Sequence, residues 1–172
     1  MVLSRSMKTS SLLLAIGLGL FSQSLLGTEK VALKPAPEFT LKDLEGKDFV
    51  FSKQTLGKVV IVDFWASWCP PCVKEVPILQ SHYLKYKKRG LLVVGISMDE
   101  GGASDIVPFI NKYRVTYPVV LGNGKVTADY GGIRGFPTTF IINKKGMIVH
   151  KLSGFISAAA FTKEIESLLA EK

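Results

Sequence analysis

The sequence predicts an α/β layered domain, and three observations carry that expectation. Two apolar runs, Val59 to Phe64 and Leu91 to Ser97, read as strands buried on both faces, with Asp63 the one charged residue in them. Helical patterns separate and follow these runs, and strands alternating with helices make a layered α/β fold. The chain then closes on two strands and a helix, which adds antiparallel strands to an otherwise parallel centre. At 172 residues there is enough chain for one domain with a proper core.

Each element has a local reason. Phe39-Thr-Leu41 and Phe49-Val-Phe51 flank Leu44-Glu-Gly46-Lys and read as a hairpin. A helix is expected from about Pro71 to Lys88, bent by Pro77 and ended by Gly90. Ser104 to Tyr113 reads as a second helix, shortened or bent at Pro108. Val119-Val-Leu121 is a short extended piece, and Lys125 to Tyr130 a short helix before Gly131-Gly132. Thr138 to Ile142 and Met147 to Leu152 are strands joined by the turn Asn143-Lys-Lys-Gly146. Ser157 caps a last amphipathic helix with Phe161, Ile165, Leu168 and Leu169 on its inner face.

The N-terminus differs from the rest. Arg5 and Lys8 precede an apolar stretch, Leu12 to Leu20, and no acidic residue appears before Glu29. Small residues at Ser24 and Gly27 offer cleavage points, so residues 1–27 read as a signal peptide or an N-terminal anchor. The stretch is short and polar at Ser22-Gln-Ser24 beside the roughly 20 apolar residues of a spanning helix, which favours cleavage. Residues 28–38, with Pro35 and Pro37, read as a linker, and 39–172 as the folded domain. The net charge of +8 would fall to +6 without Arg5 and Lys8. Such basicity suits solubility, an acidic partner or an anionic surface. No nucleic-acid motif is present. The densest basic run, Lys85, Lys87, Lys88 and Arg89, closes a helix, where cations are favoured.

The chemistry points to Trp68-Cys69-Pro70-Pro71-Cys72, which holds both cysteines of the chain. The pair closes too small a loop to constrain the unfolded chain much, so it is a poor staple and a good reactive centre. It sits where a buried strand gives way to a helix, and a helix N-terminus favours thiolate over thiol. Pro71 suits the first helical turn, and Pro70 holds Cys69 extended. A zinc site needs four ligands, and the only other candidates of the soft kind, His82 and His150, lie far apart in sequence and read as surface residues.

Val62-Asp-Phe-Trp-Ala-Ser-Trp-Cys-Pro-Pro-Cys72 with Pro77 resembles the active-site segment of thioredoxin-fold proteins, and Gly135-Phe136-Pro137-Thr138 resembles their cis-proline loop. The hairpin, the Gly-Ile-Ser-Met-Asp99 strand end, the extra piece from Ala103 to Leu121 and Pro-Thr-Thr-Phe-Ile-Ile are similar to the exported TlpA/ResA-like thiol–disulfide oxidoreductases, from about Ala36 to Leu169. The resemblance implies a thioredoxin-like three-layer α/β/α fold with a central mixed sheet, an N-terminal β-hairpin and an inserted αβ element. It implies Cys69 as nucleophile and Cys72 as resolving thiol. It also implies that Trp68, Pro70, Pro71, Phe136, Pro137 and Thr138 face the substrate.

Two acids compete for the proton-transfer role. Asp63 lies in an apolar strand, so burial should raise its pKa. Glu75 follows Cys72 by one helical turn, where the ResA-like branch carries a functional acid. The lysine that accompanies thioredoxin's buried aspartate has no counterpart here; Gly95 is the nearest match. Trp65 reads as core and Trp68 as a surface platform.

The function implied is reduction of disulfides in exported proteins, apocytochrome c for example, with electrons from a thiol protein of the membrane and no cofactor beyond the dithiol. Membrane contact is expected only through residues 1–27, if uncleaved. The alternatives are a periplasmic oxidant or isomerase, and a Cu(I)-binding delivery module. A peroxidase is disfavoured by Ala66, which stands where those relatives carry Thr or Ser.

Overall fold

The computed structural model describes residues 34–171. The leader expected at residues 1–27, and most of the expected linker, lie outside the described residues. Among the described residues no helix is long and apolar enough to cross a membrane.

The chain enters as a two-residue strand, β1 (Lys34–Pro35), followed by a hairpin, β2 (Thr40–Lys42) and β3 (Asp48–Val50). A short helix α1 (Phe51–Thr55) leads to β4 (Val59–Trp65). Then come α2 (Pro70–Tyr86), a 3-10 turn at Lys87–Arg89, β5 (Leu91–Ser97), α3 (Ala103–Tyr113) and β6 (Val119–Leu121). The last elements are α4 (Gly124–Asp129), β7 (Thr138–Ile142), β8 (Met147–Ser153) and α5 (Ala158–Ala170).

The main sheet runs β1-β8-β7-β4-β5-β6, and β2-β3 form a separate two-stranded sheet. β4, β5 and β6 are parallel, while β7 and β8 run antiparallel, so the centre is mixed. Alternation along β4 sorts its side chains. Val59, Ile61 and Trp65 enter a core with residues of α2, α3 and α5. Val60, Val62 and Phe64 enter the opposite core with Phe39, Leu41, Phe51, Val126 and Tyr130. This is the expected three-layer thioredoxin-like fold, with the hairpin and the inserted αβ element in place.

Five expectations need correction. Phe51 starts α1 instead of extending the hairpin; its ring lies 4.7 Å from that of Phe39 and its N–H donates to the Phe39 carbonyl. The long helix begins at Pro70, one residue early, because a proline at the first helical position gives up no bond. Lys34–Pro35, read as linker, pairs with Ile148 and Met147 at the sheet edge. His82 is buried, with its ring nitrogens 2.8 Å from the Ile78 carbonyl and 2.9 Å from Thr162 Oγ1, so it ties α2 to α5. His150 is not free on the surface either: its Nε2 lies 2.9 Å from Glu164. Both prolines inside helices are accommodated, Pro77 within α2 and Pro108 within α3.

Candidate active site

The site forms where β4 ends. Met98 N–H donates to the Trp65 carbonyl, and the chain turns through Ala66-Ser67-Trp68 into α2. Cys69 is the N-cap, extended at φ −89° and ψ 108°, as a residue before proline prefers. Its sulfur accepts from the Cys72 N–H at 3.3 Å, and the two cysteines form a disulfide with Cα atoms 5.3 Å apart. Cys69 keeps 4% of its surface and Cys72 none, so both are buried and the residue expected to attack is slightly the more exposed.

The turn ahead of Cys69 is held by Asp99. Both its carboxylate oxygens accept from the Ser67 N–H, at 3.1 and 3.0 Å, and the Ser67 hydroxyl donates at 2.6 Å. Ser97 Oγ donates to the same carboxylate at 2.7 Å. Sequence reading noted Asp99 only as part of a strand end. Its signal was a serine just past the end of one buried strand and another at the end of the next, Ser67 and Ser97, able to meet one acid.

Beneath α2 the two acids are brought together. Asp63 and Glu75 are both fully buried, so Glu75 is no ordinary solvated helix residue. Thr139 Oγ1 lies 3.2 Å from Asp63 Oδ1 and 3.1 Å from Glu75 Oε1. A hydroxyl has one proton to give, so it serves both contacts only if one acid is protonated and donates to it. Glu75 Oε2 accepts from the Ile156 N–H at 2.7 Å. Burial raises Asp63 well above the usual carboxylate range, and the neighbouring Glu75 charge raises it further. Burial lifts Glu75 to about 7, against the lowering effect of the Ile156 and Thr139 hydrogen bonds. The consistent arrangement is a protonated Asp63 donating to Thr139, which donates to an ionised Glu75. Thr139 was missed; its only sequence signal was a hydroxyl in an apolar strand, and the strand register is what sets it against Asp63.

Gly95 faces Asp63 on the other side, in register between β4 and β5. A Cβ there would meet Trp65 Nε1 at 2.9 Å and a Tyr117 ring carbon at 3.2 Å. Aromatic side chains therefore fill the place of a lysine. Asp63 Oδ2, Trp65 Nε1 and Tyr117 Oη are buried without hydrogen-bond partners. Burial holds the Tyr117 phenol well above its ordinary pKa, with the Asp63 and Glu75 charges adding to the effect.

The opposite wall is the Gly135-Phe136-Pro137-Thr138 loop. The Phe136–Pro137 bond is cis, and the Pro137 carbonyl accepts from Gly154 N–H at 2.9 Å. The Phe136 ring stands edge-on to Trp68 with centroids 6.0 Å apart, which joins this loop to the dithiol turn. Trp68 is 66% exposed, as a surface platform should be, and Trp65 is wholly buried. Pro70 is exposed, Pro71 and Phe136 half-buried, Pro137 and Thr138 buried. Thr138 turns inward and donates to the Gly135 carbonyl at 2.7 Å, so it shapes the loop instead of presenting its hydroxyl outward.

The family model described as the AhpC/TSA family matches residues 32–151. A thiol-disulfide oxidoreductase ResA from Bacillus anthracis is 35% identical over 141 residues, covering 81% of this chain and 80% of that protein. The protein of the same description from Bacillus subtilis (strain 168) is 33% identical, covering 83% and 79%. The chain belongs to the AhpC/TSA family, among its ResA-like thiol–disulfide oxidoreductases. A solved structure agrees with this family placement. A thiol:disulfide interchange protein, thioredoxin family protein from Chlorobium tepidum TLS superposes with a TM-score of 0.74 at 29% identity. It covers 83% of this chain and 100% of its own. The ResA-like oxidoreductases are enzymes that act on thiols and disulfides, and in this member the Cys69–Cys72 pair fits that chemistry.

Proposed function

We propose that this oxidoreductase reduces disulfides of exported proteins, apocytochrome c before haem attachment among them, outside the cytoplasm. A thiol protein of the membrane would re-reduce it. The reading needs no cofactor, because the dithiol carries both electrons. Cys69 thiolate attacks one sulfur of the substrate disulfide, forming a mixed disulfide and releasing the other sulfur as thiolate. Cys72 gives its proton to Glu75 and attacks Cys69 Sγ. The second substrate sulfur leaves as thiolate, and two electrons have passed to the substrate.

The observation that carries the reducing direction is the buried acid pair behind Cys72. A strong oxidant stabilises its reduced, thiolate form. Here Cys72 is fully buried, Glu75 lies one turn away on the same helix, and Gly95 stands in place of a lysine. A thiolate at Cys72 is therefore costly, so the reduced form gains no stabilisation from ionising this cysteine, and the lack of that stabilisation supports a reductant.

The test is a redox titration of the full chain in thiol buffers, scoring the pair by alkylation. A potential at or below about −250 mV is expected. A potential of about −120 to −180 mV would mark an oxidant or isomerase and overturn the proposal.

A further inference from the structure

Beside the cis-proline loop lies an open groove of about 840 Å³, walled by the loop on one side and the end of β8 on the other. It begins at Phe136, the residue that touches Trp68 next to Cys69. A substrate held at the dithiol therefore has its neighbouring residues beside this groove. Among the described residues no hydrogen bond engages the Phe136 N–H or C=O, so its backbone is free to pair with an extended chain. Gly131, Gly132 and Gly135 contribute wall without side chains, which lets another backbone approach closely.

The groove is also one-signed. Its charged lining residues are Arg134 and Lys151, and no carboxylate lines it. Neither Arg134 nor Lys151 meets a carboxylate among the described residues, as is true of most of the chain's described cations, so both charges stay available to a partner. Lys151 Nζ is steadied over the Phe140 ring, 5.4 Å from its centroid, and a cation so placed keeps its N–H donors for another partner. Arg134 is exposed and offers the planar fork that grips a carboxylate through two bonds.

We propose that Arg134 and Lys151 make this groove a reader of acidic flanks: it holds an extended substrate segment carrying Asp or Glu within a few residues of its reacting cysteine. The assignment rests on the thiol–disulfide reading of the site and adds the substrate class to it. A chain of net charge +8 would also draw such segments from a distance, an effect that salt weakens.

The test uses three disulfide peptides identical except for the flank, which is Glu-Asp, Gln-Asn or Lys-Lys. The readout is the ratio of kcat/KM values for the full chain and for Arg134→Gln, Lys151→Gln and the double variant. The wild-type chain should favour the acidic over the neutral peptide by about ten-fold at low salt, and each single variant should lose about three-fold of that ratio. The double variant should bring the ratio near one. Equal kcat/KM for acidic and neutral peptides in the wild type, or a preference that survives in the double variant, would overturn the proposal. The same peptides offered as dithiols to the oxidised chain should rank in the same order. The acid preference is thus scored whichever way electrons run, and a failure of the reducing direction is told apart from a failure of the groove.

Discussion

Glu75 has one oxygen on a backbone N–H and the other on the Thr139 hydroxyl, which fixes its position, and burial raises its pKa to about 7. Its raised pKa has a signed consequence. Between the ordinary carboxylate range and about 7 the folded chain holds a proton that the unfolded chain has lost. Stability from this group is therefore full at low pH and is lost as pH rises toward 7. Glu75→Gln should flatten the urea midpoint across pH 5 to 8, and it should remove the inflection near pH 7 from the rate of dithiol oxidation. An unaltered rate profile would overturn Glu75 as the proton acceptor. Gly95 gives a second prediction at this scale. Gly95→Ala puts a methyl group 2.9 Å from Trp65 Nε1 and 3.2 Å from a Tyr117 ring carbon, so one of these two buried rings must shift. The expected loss is about 1–3 kcal/mol of stability, read by denaturant unfolding.

At the scale of elements, the β4–α2 junction carries both cysteines, and Asp99 just past the neighbouring strand end holds its shape. Asp99→Ala removes the acceptor for Ser67 and Ser97 together, and should cost about 1–3 kcal/mol, seen as a lower urea midpoint. Most of this junction was legible in the sequence, because Pro70 forces an extended residue before it and a helix after it. The strands β4 and β5 were legible for a similar reason: a run of seven buried positions leaves little choice of element. What was not legible depends on contacts between distant segments. Phe51 has the look of a strand residue, yet packing against Phe39 and Tyr130's neighbours in one core turns it into a helix start. His82 reads as polar and exposed until α5 supplies Thr162. Thr139 gains its meaning only from the register that sets it against Asp63.

Across the whole molecule, the sheet divides two cores, and both cysteines belong to the one shared by α2, α3 and α5. Opening the disulfide therefore puts a thiol into a packed interior instead of at a free surface. If the proposed reducing direction holds, reduction should lower the Tm of the folded chain, because a reducing dithiol is one whose fold favours the disulfide. A Tm that rises on reduction would mean that the fold favours the thiols. The edge of the sheet has a mechanical corollary. Lys34 meets Ile148 at one end of β8, while Ser153 at the other end pairs with Thr138 beside Pro137. Five steps of strand put about 17 Å between those points. A load applied to the chain ahead of Lys34 would therefore enter the sheet at its flank, a strand's length away from the loop beside Cys69.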